Sequence, residues 1–313
     1  MSISRPEPVR LTAPVLIAIT VTIIAWASAF IVIRGTGPYF TGGALALGRL
    51  VIGAVLLGIV VLIGRRWVKP TGREWLLLLG FGVLWFGVYN VVLNIAEHTL
   101  DAGTTAMIVN IGPVLIALGA GIFLREGIPK WLAIGAGVAF LGVVLIGVST
   151  GGAILDASGI VWALVAAVTY AAGVLFQKPV LKRLPNAQVT WLGATIGMVA
   201  CLPFSGELVR DIQTAPTGAI LGMVYLGAIP TALAFSTWAY ALSKVPAGQL
   251  GVSTYIVPPL AIVLGFFVFA EVPTVVAVIG GVITLVGVAL SRRRSRSVAL
   301  PVEVSGSAKN MAE

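Results

Sequence analysis

Charged residues are scarce in this sequence. Only 10% of the 313 residues are charged and 58% are hydrophobic, whereas a soluble domain is about 25% charged and about 45–50% apolar. So few charges cannot cover the surface of a water-soluble globule of this size, and so apolar a chain is not disordered. Cys201 is the only cysteine, which excludes a disulfide framework. The remaining class is an integral membrane protein.

Groups that carry chemistry inside membranes are also missing. His98 is the only histidine, and the sequence has no H-E-x-x-H motif, no pair of intramembrane aspartates and no P-loop. No Asp or Glu falls inside the apolar stretches defined below, although proton-coupled pumps usually need an intramembrane carboxylate or histidine. We therefore expect no enzyme activity, no cofactor, no metal and no obligatory proton coupling.

Long apolar stretches fill most of the chain. A helix needs about 20 apolar residues to cross a bilayer, and the connections between the stretches are too short for a soluble domain. The first stretch is too long for a signal peptide and is read as a retained helix. We predict an all-α integral membrane protein with ten transmembrane helices, at residues 13–33, 42–63, 75–95, 104–124, 131–149, 159–181, 188–204, 217–241, 248–270 and 274–290.

The basic residues predict the orientation. With the N-terminus in the cytoplasm, every Lys and Arg lies in a cytoplasmic loop or tail except Arg34, Arg49 and Arg210. The positive-inside rule then places both the tail 1–12 and the basic tail 291–313 in the cytoplasm. The net charge of +9 indicates contact with anionic lipid headgroups and not with nucleic acid. Nothing in the sequence indicates an obligate protein partner.

The second half of the chain repeats the first at an offset of 145 residues. The period covers five stretches, an odd number, so residues 13–149 and 159–290 form two five-helix repeats with opposite orientations in the membrane. Inverted repeats are typical of secondary transporters, whose substrate site lies between the halves. The matching positions are Ala102-Gly103 with Ala247-Gly248, Pro113 with Pro258, Glu126 with Glu271, Gly135 with Gly280, and Gly142-Val143 with Gly287-Val288.

Several segments together resemble a known family. They are Ala25 to Phe30, Gly48 to Leu50, Pro113 to Glu126, Trp162 to Ala171, and Pro258 to Glu271. Their order and spacing resemble the drug/metabolite transporter superfamily, and within it the ten-helix EamA-type exporters, over essentially the whole chain. The resemblance implies alternating-access export of small metabolites, often amino acids, from a bacterial inner membrane. A membrane-embedded enzyme and a channel or lipid scramblase of the same helical architecture stay open as alternatives.

Polar and aromatic side chains form layers within the predicted helices. One layer lies about 10 Å below the outer surface, and the inverted copy predicts a second layer near the inner side. Arg49 is the only charge well inside a stretch, and it either binds a substrate carboxylate or bonds backbone carbonyls at a helix break. We predict a central aromatic-lined cavity that binds a small-molecule substrate. Its predicted residues are Trp26, Arg49, Trp85, Tyr89, Asn90 and Asn110, with Tyr170, Ser253 and Tyr255 from the second layer.

Three further titratable residues have less specific positions. Glu126 and Glu271 precede helices that start beside prolines, where a carboxylate complements the helix dipole, so we expect both to cap helices. His98 ends a stretch on the outer side, beside Glu97, and we expect it at the surface.

Overall fold

The computed structural model describes residues 12–99, 105, 108–150, 157–269, 274–291 and 293, and its regular structure there is entirely helical. Glu271 lies outside the described residues. Two long helices contain a π-helical segment, and a third is interrupted by a 3-10 turn. The helices are α1 (Ala13–Thr36), α2 (Gly42–Gly64), α3 (Gly72–Phe81, Gly82–Val88 and Tyr89–Thr99), α4 (Gly112–Phe123), α5 (Lys130–Thr150), α6 (Ala157–Val180), α7 (Asn186–Ala200), α8 (Ser205–Thr214), α9 (Thr217–Leu226, Gly227–Leu233 and Ala234–Lys244), α10 (Ala247–Ser253, Thr254–Ile256 and Val257–Phe269) and α11 (Val275–Ser291).

Most of these helices are long and apolar enough to cross a bilayer. Among the described residues, six qualify by length and hydropathy, and α7 with α8 forms a further pair bent by 53°. Shorter apolar helices occupy Gly112–Phe123, Lys130–Leu145 and Val278–Ser291. The all-helical membrane architecture is therefore confirmed, whereas the exact number of ten spans stays a prediction.

The two halves share an unusual element at matching positions. The π-helical segments of α3 and α9, Gly82–Val88 and Gly227–Leu233, lie 145 residues apart, which is the offset found in the sequence. A π-turn fits one extra residue into a helix and is rare. Its recurrence at the same offset confirms that the halves are structural repeats.

The contacts between the repeats are reciprocal. Helix α1 contacts the last part of α9, and its counterpart α6 contacts the last part of α3, while α2 contacts α7 and α5 contacts α11. Such exchanged contacts are those of a two-fold axis. They are the packing expected of inverted-topology repeats, with the core between the halves.

Helices α5 and α11 form the closest pair. A Cβ atom on Gly135 would lie 2.3 Å from the backbone nitrogen of Ser291, and one on Gly287 would lie 2.3 Å from that of Ala139. Only glycine permits this approach of two backbones. The pair lies apart from the cavity described below and acts as a scaffold.

Residues 205–216, which the sequence places in a loop, contain the helix α8. Two of its carboxylates hold the start of α2. The backbone nitrogen of Thr41 donates to Asp211 Oδ2 at 2.9 Å, and the Thr41 hydroxyl donates to Glu207 Oε2. Acceptors at a helix N-terminus satisfy donors that have no intrahelical partner. Helix α8 therefore covers the end of the bundle where α1 ends and α2 begins, here called the α1–α2 end.

Candidate functional site

A cavity lies between the two repeats, towards the α1–α2 end. It contains about 650 Å³ of space between atoms, part of it continuous with solvent, which is within the range of about 300–1,000 Å³ for small-molecule sites. Seven of the nine residues predicted from the sequence line it, and their binding role stays a prediction. These seven are Trp26, Arg49, Trp85, Tyr89, Asn90, Asn110 and Tyr170.

Ser253 and Tyr255 do not line this cavity. A 3-10 turn over Thr254–Ile256 interrupts α10. Of the residues 253–256, only Thr254 lines the cavity. Tyr255 is buried against α5 and α11, and its hydroxyl has no partner among the residues that the structure describes. Ser253 lies against α1 in a smaller gap. The sequence identifies the correct segment but not the residue, because the turn shifts the facing side chain.

Tyr170 also departs from its expected place. The inverted repeat predicts it in a separate layer near the inner side. Instead its ring centroid lies 5.2 Å from that of Trp85 and 6.0 Å from that of Tyr89. Aromatic residues from both repeats therefore form one continuous wall.

Four aromatic side chains from α1, α3 and α9 form a cluster at the cavity. Ring centroids lie 5.1 Å apart for Trp26 and Trp238, 5.5 Å for Trp26 and Phe235, and 4.9 Å for Trp85 and Phe235. These separations are typical of favourable aromatic pairs. Phe235 lines the cavity, and the sequence missed it because a phenylalanine in an apolar helix carries no polar signal.

The π-helical segment of α9 positions two cavity residues from the other repeat. Trp26 Nε1 donates to the carbonyl of Pro230 at 3.3 Å, and Arg49 Nε donates to Thr231 Oγ1 at 3.1 Å. The Thr231 hydroxyl in turn donates to the Leu226 carbonyl at 2.8 Å. Carbonyls that a π-turn displaces from regular helix bonding need such partners. The distorted helix thereby fixes both an indole and a guanidinium in the cavity wall.

Asn90 performs a similar task within α3. Its amide nitrogen donates to the carbonyls of Phe86 and Trp85 at 2.8 and 3.2 Å. These carbonyls belong to the first π-helical segment. Asn90 therefore stabilises the backbone and lines the cavity at the same time.

Arg49 is buried but only partly bonded. Its side chain is 4% exposed, and within the described part of the chain only its Nε has a hydrogen-bond partner, Thr231. A guanidinium always carries its charge and has five N–H donors. The two terminal nitrogens are therefore available to an anion in the cavity.

Glu97 is the feature that the sequence reasoning missed. It is the last residue but one of the candidate span Gly72–His98 and lies just beyond the predicted stretch 75–95, so counting apolar residues leaves it at the edge of a span. Both its carboxylate oxygens are buried, and neither has a hydrogen-bond partner among the described residues, which leave out 100–104. Arg49 and Tyr89 lie in its electrostatic range. Glu97 follows the cavity residue Asn90 by seven positions and the cavity residue Leu93 by four. This spacing puts the three residues on one face of a helix, and it is the signal by which Glu97 could have been found in the sequence. Transport without obligatory proton coupling stays a prediction.

His98, the next residue, is exposed, in the position expected for it. The neighbouring acid turns inward because consecutive side chains on a helix point about 100° apart.

A tight set of contacts holds the opposite end of the bundle. Lys178 Nζ donates to the carbonyls of Leu242 and Val245 at 2.5 and 2.6 Å, and Glu126 Oε2 accepts from the Gly248 nitrogen at 3.4 Å. Burial raises the pKa of the Glu126 carboxyl, and nearby Lys178 opposes that effect. Glu126 therefore caps a helix as expected, but it caps α10 and not α5. These contacts fix the turn between α9 and α10.

Comparison with known proteins agrees with this architecture. Residues 13–148 and 157–293 each match the EamA-like transporter family. A probable terminal-alkyne amino-acid exporter of Streptantibioticus cattleyicolor is 35% identical over 280 residues, which are 89% of this chain and 93% of that protein. An uncharacterized transporter of Bacillus subtilis, YdfC, is 35% identical over 283 residues, 88% and 90% of the two chains.

Two more distant matches extend the comparison. A probable amino-acid metabolite efflux pump of Salmonella typhimurium is 26% identical over 223 residues, 67% of this chain and 74% of that one. A crystal structure with 19% sequence identity superposes with a TM-score of 0.73 over 90% of this chain and 99% of its own, which shows a shared fold. With both repeats matched almost end to end, the chain belongs to the EamA-like transporter family.

Proposed function

We propose that the protein exports small carboxylate-bearing metabolites, amino acids or close relatives, by alternating access through the cavity between its repeats. The observation that carries the proposal is Arg49, a buried guanidinium in the cavity wall with its terminal nitrogens unpartnered in the described structure. A guanidinium binds a carboxylate with two parallel hydrogen bonds. The names of the exporter and efflux-pump relatives support the amino-acid class.

The rest of the cavity suits the side chain of such a substrate. The aromatic cluster and Phe30, Ile33 and Val109 provide apolar walls, while the Tyr89 and Tyr170 side chains add polar tips. Sites of this kind use few polar groups for orientation and apolar surface for affinity. A lipid scramblase would need a hydrophilic track for headgroups, and the mostly apolar lining of this cavity offers none. The substrate's own gradient drives export.

Transport from loaded vesicles tests the proposal. The purified protein is reconstituted into liposomes that contain the protein amino acids together with L-propargylglycine, a terminal-alkyne amino acid, and mass spectrometry follows their release. We expect selective loss of one or a few of these compounds, relative to vesicles without protein. Release of none of them would contradict the proposed substrate class.

A matched pair of variants tests the route. Ala29 lines the cavity, whereas Ile17 on the same helix is 64% exposed on the outside of the bundle. Ala29→Trp should reduce release at least about tenfold, because the added indole takes up the volume in the cavity that a small substrate needs. Ile17→Trp should release like the parent. Full release by Ala29→Trp would place the route elsewhere.

A further inference from the structure

We propose that Gln177, on α6, is a second contact for the substrate, and that it binds the substrate's polar head when the molecule is open at the end of the bundle opposite the α1–α2 end. By the predicted orientation, that opposite end faces the cytoplasm. The inference rests on the proposed function, since it takes alternating access of an amino acid as given.

The Gln177 side chain is a buried amide whose hydrogen-bonding groups are unused in the described structure. It is 0% exposed, and neither its amide oxygen nor its amide nitrogen has a partner among the described residues. Its neighbours on the same helix face, Val174 and Leu181, belong to the apolar core. A buried amide without partners is strongly unfavourable. A partner that binds in another state of the molecule offsets that cost.

Gln177 lies just beyond the floor of the cavity. It follows the cavity residue Tyr170 by seven positions and Gly173 by four, so the three share one face of α6. Gly173 packs against Trp85, since a Cβ there would lie 2.4 Å from the Trp85 Cβ. Seven residues of helix span about 10 Å, and helical side chains lean towards the N-terminus of their helix. For α6 this is the direction of Tyr170, so the amide leans from below towards the aromatic wall.

A second unused donor lies in the same floor. The ring centroid of Trp238 lies 5.1 Å from that of Trp26 and 5.7 Å from that of Trp85. Trp238 is 1% exposed, and its Nε1 has no partner within the described part of the chain. Trp238 also borders the smaller gap beside Ser253 and Thr254. Because Thr254 lines both the gap and the cavity, the gap continues the cavity beyond its floor.

The opposite end of the bundle is closed by the contacts of Lys178 and Glu126. Lys178, the residue after Gln177, binds the carbonyls at the end of α9, and Glu126 accepts from the Gly248 nitrogen at the start of α10. Opening at this end must break these contacts and move the turn between α9 and α10 away from α6. The amide of Gln177 then becomes accessible from that side.

An amide suits the polar head of an amino acid. Its oxygen accepts a hydrogen bond from the ammonium, its nitrogen donates to the carboxylate, and the indole of Trp238 supplies one more donor. Hydrogen bonds from neutral groups are weaker than those from a guanidinium. The substrate therefore binds more weakly at Gln177 than at Arg49, and loading from the cytoplasm requires an abundant metabolite.

A pair of buried glutamines tests the assignment. Gln188 is also 0% exposed, but its amide is satisfied, because Oε1 accepts from the Val68 nitrogen at 3.0 Å and Nε2 donates to the Val68 carbonyl at 2.7 Å. Methionine at either position keeps the length of the side chain and removes its hydrogen bonds. The assay is uptake of the amino-acid and L-propargylglycine mixture into inside-out vesicles from cells that make the full-length protein, with vesicles from cells without it as the blank.

The two variants should differ in opposite ways. Gln177→Met should raise the KM for uptake by about two- to tenfold, the range for one hydrogen bond. It should not lower the unfolding temperature of the purified protein, because the amide that it removes has no partner among the described residues. Gln188→Met should keep the parent KM and lower the unfolding temperature, because it removes two formed bonds.

The outcomes separate the two proposals. Uptake of none of the compounds by the parent protein overturns the proposed function and this inference with it. Where the parent takes up substrate, a parent KM in Gln177→Met, or an equal rise of the KM in both variants, overturns the inference alone and leaves the exporter standing.

Chemical labelling covers the case in which Gln177→Met does not fold. Cys201 is the only cysteine, so Gln177→Cys in a Cys201→Ala background carries a single thiol. It should react with a membrane-impermeant maleimide in the inside-out vesicles, and a saturating substrate mixture should slow the reaction at least about twofold. Val143→Cys, at a buried position of α5, should stay unreactive. No reaction of Gln177→Cys, or a rate that the mixture leaves unchanged, would overturn the proposed contact.

Discussion

At the scale of single residues, Arg49 combines one fixed nitrogen with two that have no hydrogen-bond partner in the part of the chain that the structure describes. The bond from Nε to Thr231 holds the plane of the guanidinium, so the terminal donors face the cavity without a further loss of side-chain freedom. Lysine would keep the charge but has neither the planar fork nor an Nε donor.

Arg49→Lys should therefore raise the KM for substrate release at least about tenfold, about 1.4 kcal/mol, while the amount of folded protein stays normal. Arg210→Lys is the matched control, because Arg210 has an exposed side chain on α8 and should keep the parent KM. An unchanged KM in Arg49→Lys would remove the carboxylate role. Loss of folded protein would support a structural arginine instead.

The same substitution, tyrosine to phenylalanine, should have different effects at a residue that lines the cavity and at one that packs in the scaffold. Tyr170 lines the cavity and its hydroxyl lies 3.5 Å from Thr254 Oγ1. The Tyr255 hydroxyl is buried and has no partner within the described parts of the chain. Removing an unsatisfied buried hydroxyl is neutral or stabilising.

Tyr255→Phe should leave the KM unchanged and raise the unfolding temperature or leave it as it is. Tyr170→Phe should alter the KM by about two- to tenfold, the range for one hydrogen bond of about 0.5–1.5 kcal/mol. Initial rates of release over a range of loaded concentrations measure both. The opposite order of effects would return Tyr255 to the site, where the sequence had placed it.

At the scale of elements, the glycines of α5 separate a packed face from an open one. A Cβ on Gly135 would clash with the backbone of α11, whereas a Cβ on Gly137 meets nothing within 4 Å. The two positions share a helix turn and the same backbone, so they differ only in what faces them.

Gly135→Leu should lower the free energy of unfolding by about 1–3 kcal/mol or more, the usual cost of overpacking, and Gly137→Leu should have little effect. Thermal unfolding of the detergent-purified variants measures the difference. Folded protein that survives Gly135→Leu should keep the parent KM, because this helix pair lies apart from the cavity. Equal stability of the two variants would contradict the close packing of α5 and α11.

Helix distortions explain which parts of the site the sequence could predict. Depth along an apolar helix can be counted from the ends of the helix. This count correctly placed four residues in the wall of the cavity: Trp26, Arg49, Tyr89 and Asn110. Thr254 could not be chosen over its neighbours, since nothing in the sequence marks the 3-10 turn that redirects it.

Glu97 shows a second limit of the same counting. It lies beyond the last apolar residue of its stretch, and a sequence count treats such a residue as a solvated end. The structure continues α3 past it and buries its carboxylate oxygens. The fold was easier to predict than the site, because apolar length and an internal repeat suffice for the first, whereas the second depends on local turns.

At the scale of the whole molecule, the orientation in the membrane is a prediction with a simple chemical test. Cys201 is the only cysteine and is buried, so Cys201→Ala gives a background without reactive thiols. Arg66, after α2, and Gln213, near the end of α8, are both exposed and suit labelling.

In that background, Gln213→Cys should react with a membrane-impermeant maleimide in intact cells, and Arg66→Cys should react only after permeabilisation. The reason is that basic loops such as the one at Arg66 stay in the cytoplasm. Reaction of both from the same side would refute the predicted orientation.

The matching π-helical segments also bear on the history of the chain. An extra residue at the same place in both halves was present before the gene duplicated, so the ancestral five-helix polypeptide already carried it. Two copies of that ancestor in opposite orientations would have formed a cavity with identical walls. In the present chain three charged residues have no charged counterpart at the offset of 145, since Arg49 corresponds to Ala194, Glu97 to Leu242, and Lys178 to Ile33, whereas Glu126 still corresponds to Glu271. Divergence after the duplication therefore kept the paired π-helical segments and gave the two halves different charged residues.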